Sequence, residues 1–225
     1  MQLIKKLEIQ SKKKIIEFLH SQPVGRIASI DINGYPQVIP MNFVFVRADD
    51  PYTNSQSIIN SDAVYMHSHP FGEKLDNIKR NKKVGFEVDQ HICFLPSYYF
   101  HPSDASQADT LYISVVIKGH SYIVEDNEEK VLALNSLMEK YQKEGNYEKL
   151  NSKMHSVQEV TVIKLIPHNM KGKYKIGQQW TPSYRLKIAK NILTSEKENA
   201  KLIFEVMGIE ILENGTLKIK KEPIL

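Results

Sequence analysis

A chain of 225 residues with 41% hydrophobic and 25% charged side chains has the composition of a globular protein, and is long enough to bury a core without disulfide or metal staples. Its formal net charge of +4 is well mixed along the chain, which supports mild attraction to anionic ligands but is weak evidence for nucleic-acid binding. The lone cysteine, Cys93, excludes an intrachain disulfide and points to a reducing compartment; no apolar run nears the ~20 residues of a membrane span, and the first residues lack a signal-peptide pattern, so a cytoplasmic location is expected.

Residues 11–20 read as a helix capped by Ser11, with Ile15, Ile16, Phe18 and Leu19 on one stripe and Pro23 as its stop. Residues 24–30 and 37–46 read as strands joined by a tight turn at Asn33-Gly34. Pro40 cannot donate a ladder bond, which predicts an edge strand or a bulge that turns the N–H of Met41 or Asn42 outward. Residues 47–61 form a polar loop, 63–68 a third strand, and 72–80 a short helix with Leu75 and Ile78 inward. Residues 84–88 and 91–95 are further strands. Residues 96–108, with Pro96, Pro102 and the pair Tyr98-Tyr99, read as an excursion whose tyrosines could line a cleft mouth.

Residues 111–124 make a long strand. A helix over 128–143, capped by Asp126, carries Val131, Leu134, Leu137, Met138 and Tyr141 at helical spacing. Residues 159–166 are a strand, 184–193 and 196–206 helices, and 209–219 a hairpin around Asn214-Gly215. Strands joined mostly by tight turns argue for a mainly β (α+β) fold: an antiparallel barrel of six to seven strands with flanking helices. The expected division is a barrel domain over residues 1–166 and a helical and hairpin extension over 167–225, packing on the barrel or on a dimer.

The most telling stretch is Val64 to Leu75. An apolar strand breaks into Ser68-His69-Pro70-Phe71-Gly72, and a helix then starts with Glu73-Lys74. First-turn N–H groups, the helix dipole, a serine hydroxyl and a lysine together suit a phosphate. His67 and His69 lie two apart and suit a cofactor or substrate contact. A mononuclear site would need a third ligand such as Glu73, His101 or His120, and with no second tight His/Cys pair no metal site is assigned. Cys93, between Ile92 and Phe94, reads as a buried structural thiol. Trp180 either stacks near a cofactor or anchors the C-terminal helices. No side chain stands out as a general acid, so no catalytic residue is named.

Gly25-Arg26-Ile27-Ala28-Ser29, then Gly34-Tyr35-Pro36-Gln37-Val38-Ile39-Pro40-Met41-Asn42-Phe43, Tyr65-Met66-His67-Ser68 with Gly72-Glu73-Lys74-Leu75, and Tyr112-Ile113-Ser114-Val115-Val116-Ile117-Lys118-Gly119 follow one another in order. This succession resembles the pyridoxamine 5'-phosphate oxidase-like split-barrel flavoproteins, in particular the nitroimidazole-resistance-protein-like branch. The resemblance covers about residues 11–166. It implies an FMN-binding homodimer with the cofactor in clefts at the subunit interface. Val38, Ile39, Pro40, Met41 and Asn42 would be flavin-wall residues, and His67, Ser68, Gly72, Glu73 and Lys74 the ribityl-phosphate group. Tyr112, Ser114 and the Gln178-Gln179-Trp180 segment would lie on the partner-subunit side.

The expected activity is a flavin-dependent oxidoreductase acting on a small organic substrate, with a nicotinamide or another reductant as electron donor. FAD, a deazaflavin or haem are the alternative cofactors, and sequestration of haem or flavin without turnover is the alternative function. The arginine-rich substrate-phosphate signature of pyridoxamine 5'-phosphate oxidase itself is missing, so oxidation of pyridoxamine phosphate is not the expected reaction. Lys218, Lys220 and Lys221 lack the interleaved aromatics of single-strand binders. Neither nucleic acid nor membrane is expected as a partner.

Overall fold

The structure, a computed structural model, describes residues 4–49, 58–196 and 198–223. The middle of the expected 47–61 loop lies outside the described residues, as do residues 1–3 and 224–225. The elements run β1 (Glu8–Ile9), α1 (Lys12–Ser21), β2 (Gly25–Ile30), β3 (Pro36–Met41), β4 (Val44–Val46), β5 (Ala63–Ser68), α2 (Glu73–Arg80), β6 (Lys83–Leu95) and β7 (Asp109–Ile123). There follow α3 (Asn127–Tyr141), α4 (His155–Glu159), β8 (Thr161–Lys175), α5 (Pro182–Ser195), α6 (Ala200–Met207), β9 (Ile209–Ile211) and β10 (Leu217–Ile219). The fold is the antiparallel split-barrel class expected from the sequence, with flanking helices.

The chain forms two compact units. One holds residues 12–88 and 115–171; the other holds residues up to 11, 89–114 and those from 172 onward. The expected boundary at residue 166 falls inside β8. Strands β6, β7 and β8 each begin in one unit and end in the other.

In the first unit the strand order is β3-β2-β6-β7-β8-β5-β4. Its two terminal strands are consecutive in sequence. Only Asn42 and Phe43 separate them, so Met41 and Val44 lie no more than about 11 Å apart. Seven strands laid flat would span about 29 Å. The sheet of this unit therefore curls, with its seam between β3 and β4. α3 closes the core beneath the seam, packing Ala133, Leu134 and Leu137 with Val44, Val46, Tyr65 and Val162. The buried Tyr65 hydroxyl donates to Glu129 at 2.5 Å, and Lys164 pairs with the same carboxylate at 2.6 Å.

The expected single strand over 37–46 is thus two strands. The break comes from α3. The Tyr141 hydroxyl accepts the N–H of Phe43 at 2.9 Å and donates to the Pro23 carbonyl at 2.7 Å. The Lys140 ammonium donates to the Phe43 carbonyl at 2.9 Å and to the Leu19 carbonyl at 3.2 Å. Side chains satisfy the backbone of the fully buried Phe43 in place of a strand neighbour, and the chain turns from one end of the sheet to the other. Conversely, 84–88 and 91–95 are one strand, because a polar Asp89-Gln90 pair does not interrupt a ladder. Among the described residues the curled path has seven strands, within the six to seven expected, and β1 joins the sheet off that path by pairing with β8.

In the second unit β1 pairs with the end of β8, Glu8 opposite Lys173. Cys93, Leu95, Tyr99 and Leu111 pack with Ile188, Ile192, Ile203, Phe204 and Met207 of α5 and α6. The β9–β10 hairpin forms as the Asn-Gly pair predicts, Leu217 opposite Ile211. Of the two tyrosines expected at a cleft mouth, Tyr98 is exposed and Tyr99 is buried. Tyr99 meets Ser195 and donates to the Asn191 carbonyl, which makes it a core residue.

Candidate functional site

Among the described residues, strand β3 ends the sheet order and pairs only with β2. Pro36, Val38 and Pro40 stand opposite Ile30, Ala28 and Arg26. A proline cannot belong to a pair that exchanges N–H···O bonds. By alternation, then, Gln37, Ile39 and Met41 make the ladder bonds, while the backbone groups of Pro36, Val38 and Pro40 face the open edge. Because two of those three residues lack an N–H, Val38 supplies the only backbone donor on the edge between Pro36 and Pro40. The pairing runs without a bulge, so the edge-strand reading of Pro40 holds. The N–H of Met41 points into the ladder, not outward as the bulge reading expected.

The five expected wall residues divide between the faces. Val38 and Pro40 share the exposed face with Arg26 and Ala28, and Val38 is 56% exposed. Ile39 and Met41 share the half-buried inner face with Ile27 and Gly25. Asn42 spends its amide nitrogen on the Pro23 carbonyl at 3.2 Å, which secures the seam.

Strand β5 delivers the second feature. Its apolar residues Ala63 to Met66 are buried, His67 emerges on the exposed side, and Ser68 turns back inside, donating its hydroxyl to the His69 carbonyl at 3.0 Å. His69 accepts the N–H of Phe71 at 3.4 Å and closes the turn. Gly72 caps α2 with φ 138°, a conformation that favours glycine, and no side chain caps that end. Its carbonyl receives the N–H groups of Leu75 and Asp76. The N–H groups of Glu73 and Lys74 have no intrahelical acceptor. Glu73 and Asp76 put two carboxylates in the first turn beside one lysine, so backbone donors and Lys74 carry any affinity for an anion.

Of the residues that join these two features, Glu73 was among the expected site residues, and Gln37 and Asn77 were not. Gln37 on β3 donates its amide to the Glu73 carboxylate and accepts from Asn77 at 3.3 Å. Asn77, 1% exposed, also donates to the Ser29 hydroxyl at 3.3 Å and accepts from Arg80 at 2.8 Å. Arg80 reaches the Ile30 carbonyl at 2.6 Å. Glu73 is therefore a tether between α2 and β3; its backbone N–H, not its carboxylate, faces the role of anion donor. Three polar residues at core-facing positions, Ser29, Gln37 and Asn77, were the sequence signal for this network.

Tyr112, Ser114 and Trp180 belong to the other compact unit. Trp180 packs with Phe100 and Tyr184, ring centroids 5.9 and 6.0 Å away, and anchors α5. The Lys173 ammonium lies 5.5 Å from the ring centroid of Tyr112. Among the described residues, no three His, Cys, Asp or Glu side chains gather as a metal site.

Comparison with solved structures places this architecture among known ones. A candidate 5-nitroimidazole antibiotic resistance protein from Bacteroides thetaiotaomicron is 25% identical with a TM-score of 0.56, over 74% of this chain and 86% of that one. The flavocytochrome Anf3 from Azotobacter vinelandii matches with a TM-score of 0.58 at 15% identity, over 77% of this chain and 72% of that one. The FAD and heme binding protein from Mycobacterium smegmatis matches with a TM-score of 0.57 at 14% identity, over 75% and 73%. No curated protein matches the chain. Residues 11–174, which contain the curled sheet, the β3 edge and the α2 turn, match the family model described as pyridoxamine 5'-phosphate oxidase. The chain belongs to the pyridoxamine 5'-phosphate oxidase family.

Proposed function

We propose that the chain binds a flavin nucleotide, FMN, and uses it as an oxidoreductase on a small organic substrate. One observation carries the reading. An uncovered apolar edge strand and an uncapped helix N-terminus are tied together through Gln37, Glu73 and Asn77. A flavin nucleotide needs both: a wall with a hydrogen-bond donor for its ring, and an anion site for its tail.

The residues fit that demand. The N–H groups of Glu73 and Lys74 and the Lys74 ammonium would hold the phosphate. The Val38 N–H and the carbonyls beside it would meet the polar rim of the ring, with Val38 and Pro40 shielding it from water. His67, exposed at the end of β5, is the side chain available to a substrate. When bound, the flavin supplies hydride and single-electron chemistry. The protein's share is to orient the ring, exclude water and hold the tail. The open face of β3 suits a second copy of the chain closing over the cofactor, as the family resemblance implied, and a nicotinamide suits the role of electron donor.

The test is an absorption spectrum and an intact mass of the purified full chain, before and after adding FMN, FAD, a deazaflavin or haem. Bound FMN gives a flavin band near ~450 nm that bleaches with a reduced nicotinamide and returns with an oxidising substrate. A chain that takes up no flavin refutes the proposal. A Soret band with no flavin uptake replaces it by haem sequestration.

A further inference from the structure

Among the described residues, the buried side-chain nitrogen left without a hydrogen-bond partner is Nε of Arg185. Arg185 is 0% exposed and stands in the first turn of α5, which contains no acidic residue. The dipole at that end of a helix repels a cation. A guanidinium stays charged throughout the pH range of folded proteins, so this position calls for an anion. It has Oε2 of Glu222 at 3.1 Å from Nη2, and the carbonyl of Met207, the last residue of α6, at 3.4 Å from Nη1. Nε and Nη2 form one edge of the guanidinium fork, whose parallel N–H groups suit two oxygens of one oxyanion. Glu222 fills half of that edge.

Glu222 is itself 60% exposed. The segment that brings it crosses the end of α6: the N–H groups of Lys220 and Lys221 both donate to the Gly208 carbonyl, at 2.9 and 3.2 Å, and Pro223 beyond Glu222 is buried. Gly208 ends α6 with φ 69°, and a Cβ there would lie 2.3 Å from the Lys221 carbonyl oxygen. Glycine alone permits this crossing. A buried cation, a half-used fork and a largely exposed carboxylate converge on one place.

We propose that Arg185 is the receptor of an oxyanion site for a phosphate-bearing ligand, and that Glu222 is its resident occupant, displaced when that ligand binds. A free carboxylate offers nothing that the tethered one lacks, and the tether gives Glu222 an effective concentration in the millimolar range. A phosphate brings a third acceptor oxygen and close to a second charge. It fills both positions of the Nε–Nη2 edge and adds attraction to the exposed Lys220 and Lys221.

The experiment titrates inorganic phosphate against the full chain at constant ionic strength, reading thermal midpoint and phosphorus-31 line width. Wild type, Glu222→Gln and the double variant Arg185→Lys with Glu222→Gln are compared. Removing the resident carboxylate lowers the phosphate concentration at half-effect roughly tenfold or more, and the lysine substitution abolishes that gain. Phosphate bound near α2 affects wild type and Glu222→Gln equally and cancels. Equal half-effects in wild type and Glu222→Gln overturn the proposal, whether or not the double variant folds. So does an acetate titration of Glu222→Gln that matches phosphate.

Discussion

Replacing Tyr141 by phenylalanine tests the corner on which the β3 edge depends. The ring remains; what goes is one oxygen that accepts the N–H of Phe43 at 2.9 Å and donates to the Pro23 carbonyl at 2.7 Å. Phe43 is fully buried, so water does not replace the lost acceptor. A neutral hydrogen bond contributes about 1 kcal/mol net, and a buried N–H left unmet costs about 1–3 kcal/mol. Lys140 still holds the Phe43 carbonyl, which limits the damage. The expected loss is therefore about 2–3 kcal/mol, and for a chain of this size a fall in Tm of about 5–10 °C. Urea unfolding followed by far-UV circular dichroism measures it; Trp180 fluorescence does not serve, because that residue sits in the other compact unit. The substitution also weakens flavin binding, since β3 loses its fixed end. A stability loss below about 0.5 kcal/mol shows that the corner is held by something other than α3, and the account of the β3–β4 break fails with it.

If the proposed phosphate anchor is right, Lys74→Met removes a charge-assisted contact worth about 1.5–3 kcal/mol, so FMN affinity falls about tenfold to a hundredfold while riboflavin, which has no phosphate, binds as before. Equal losses for both ligands move the anchor elsewhere. Cys93, its thiol pushed up to about 11 by burial and by the charge of Glu196, reacts with iodoacetamide at pH 8 roughly 200-fold more slowly than a free cysteine; rapid alkylation of the folded chain contradicts its core placement. Burial lowers the Lys140 ammonium to about 8. The unfolded chain then binds the extra proton between that value and the ordinary lysine value, and stability rises with pH across that window. Lys140→Met flattens this rise in urea midpoints measured from pH 7.5 to 10.5, and an unchanged slope refutes the assignment.

The hairpins, the lysine-bearing turn and the helical stripe of α3 were legible because each is a local pattern. Asn33-Gly34 and Asn214-Gly215 specify their turns within a few residues. The β3–β4 break was not legible, because its cause lies about a hundred residues away in Lys140 and Tyr141, and the apolar run from Val38 to Val46 looks continuous without them. The same holds for the extent of β8. Its end, Lys171 to Lys175, carries no apolar alternation and is a strand in part because β1 pairs with it. Site residues divided along similar lines. A position that a single residue type announces, such as the edge placement of Pro40, was readable. Chemistry made by contact, such as the Gln37–Asn77–Glu73 link, needed the fold. Trp180 stayed open between two readings because a lone tryptophan is equally at home against a cofactor or in an aromatic cluster, and the structure packs it with Phe100 and Tyr184.

The two prolines of β3 have a consequence for the life of the chain in a crowded solution. A bare sheet margin ordinarily invites another polypeptide to zip on, one residue after the next, and so seeds aggregates. With Pro36 and Pro40 in the outward positions, an incoming chain finds one amide hydrogen where it needs three. The margin can stay uncovered without recruiting neighbours, and remains free for a compact visitor that asks for a single donor.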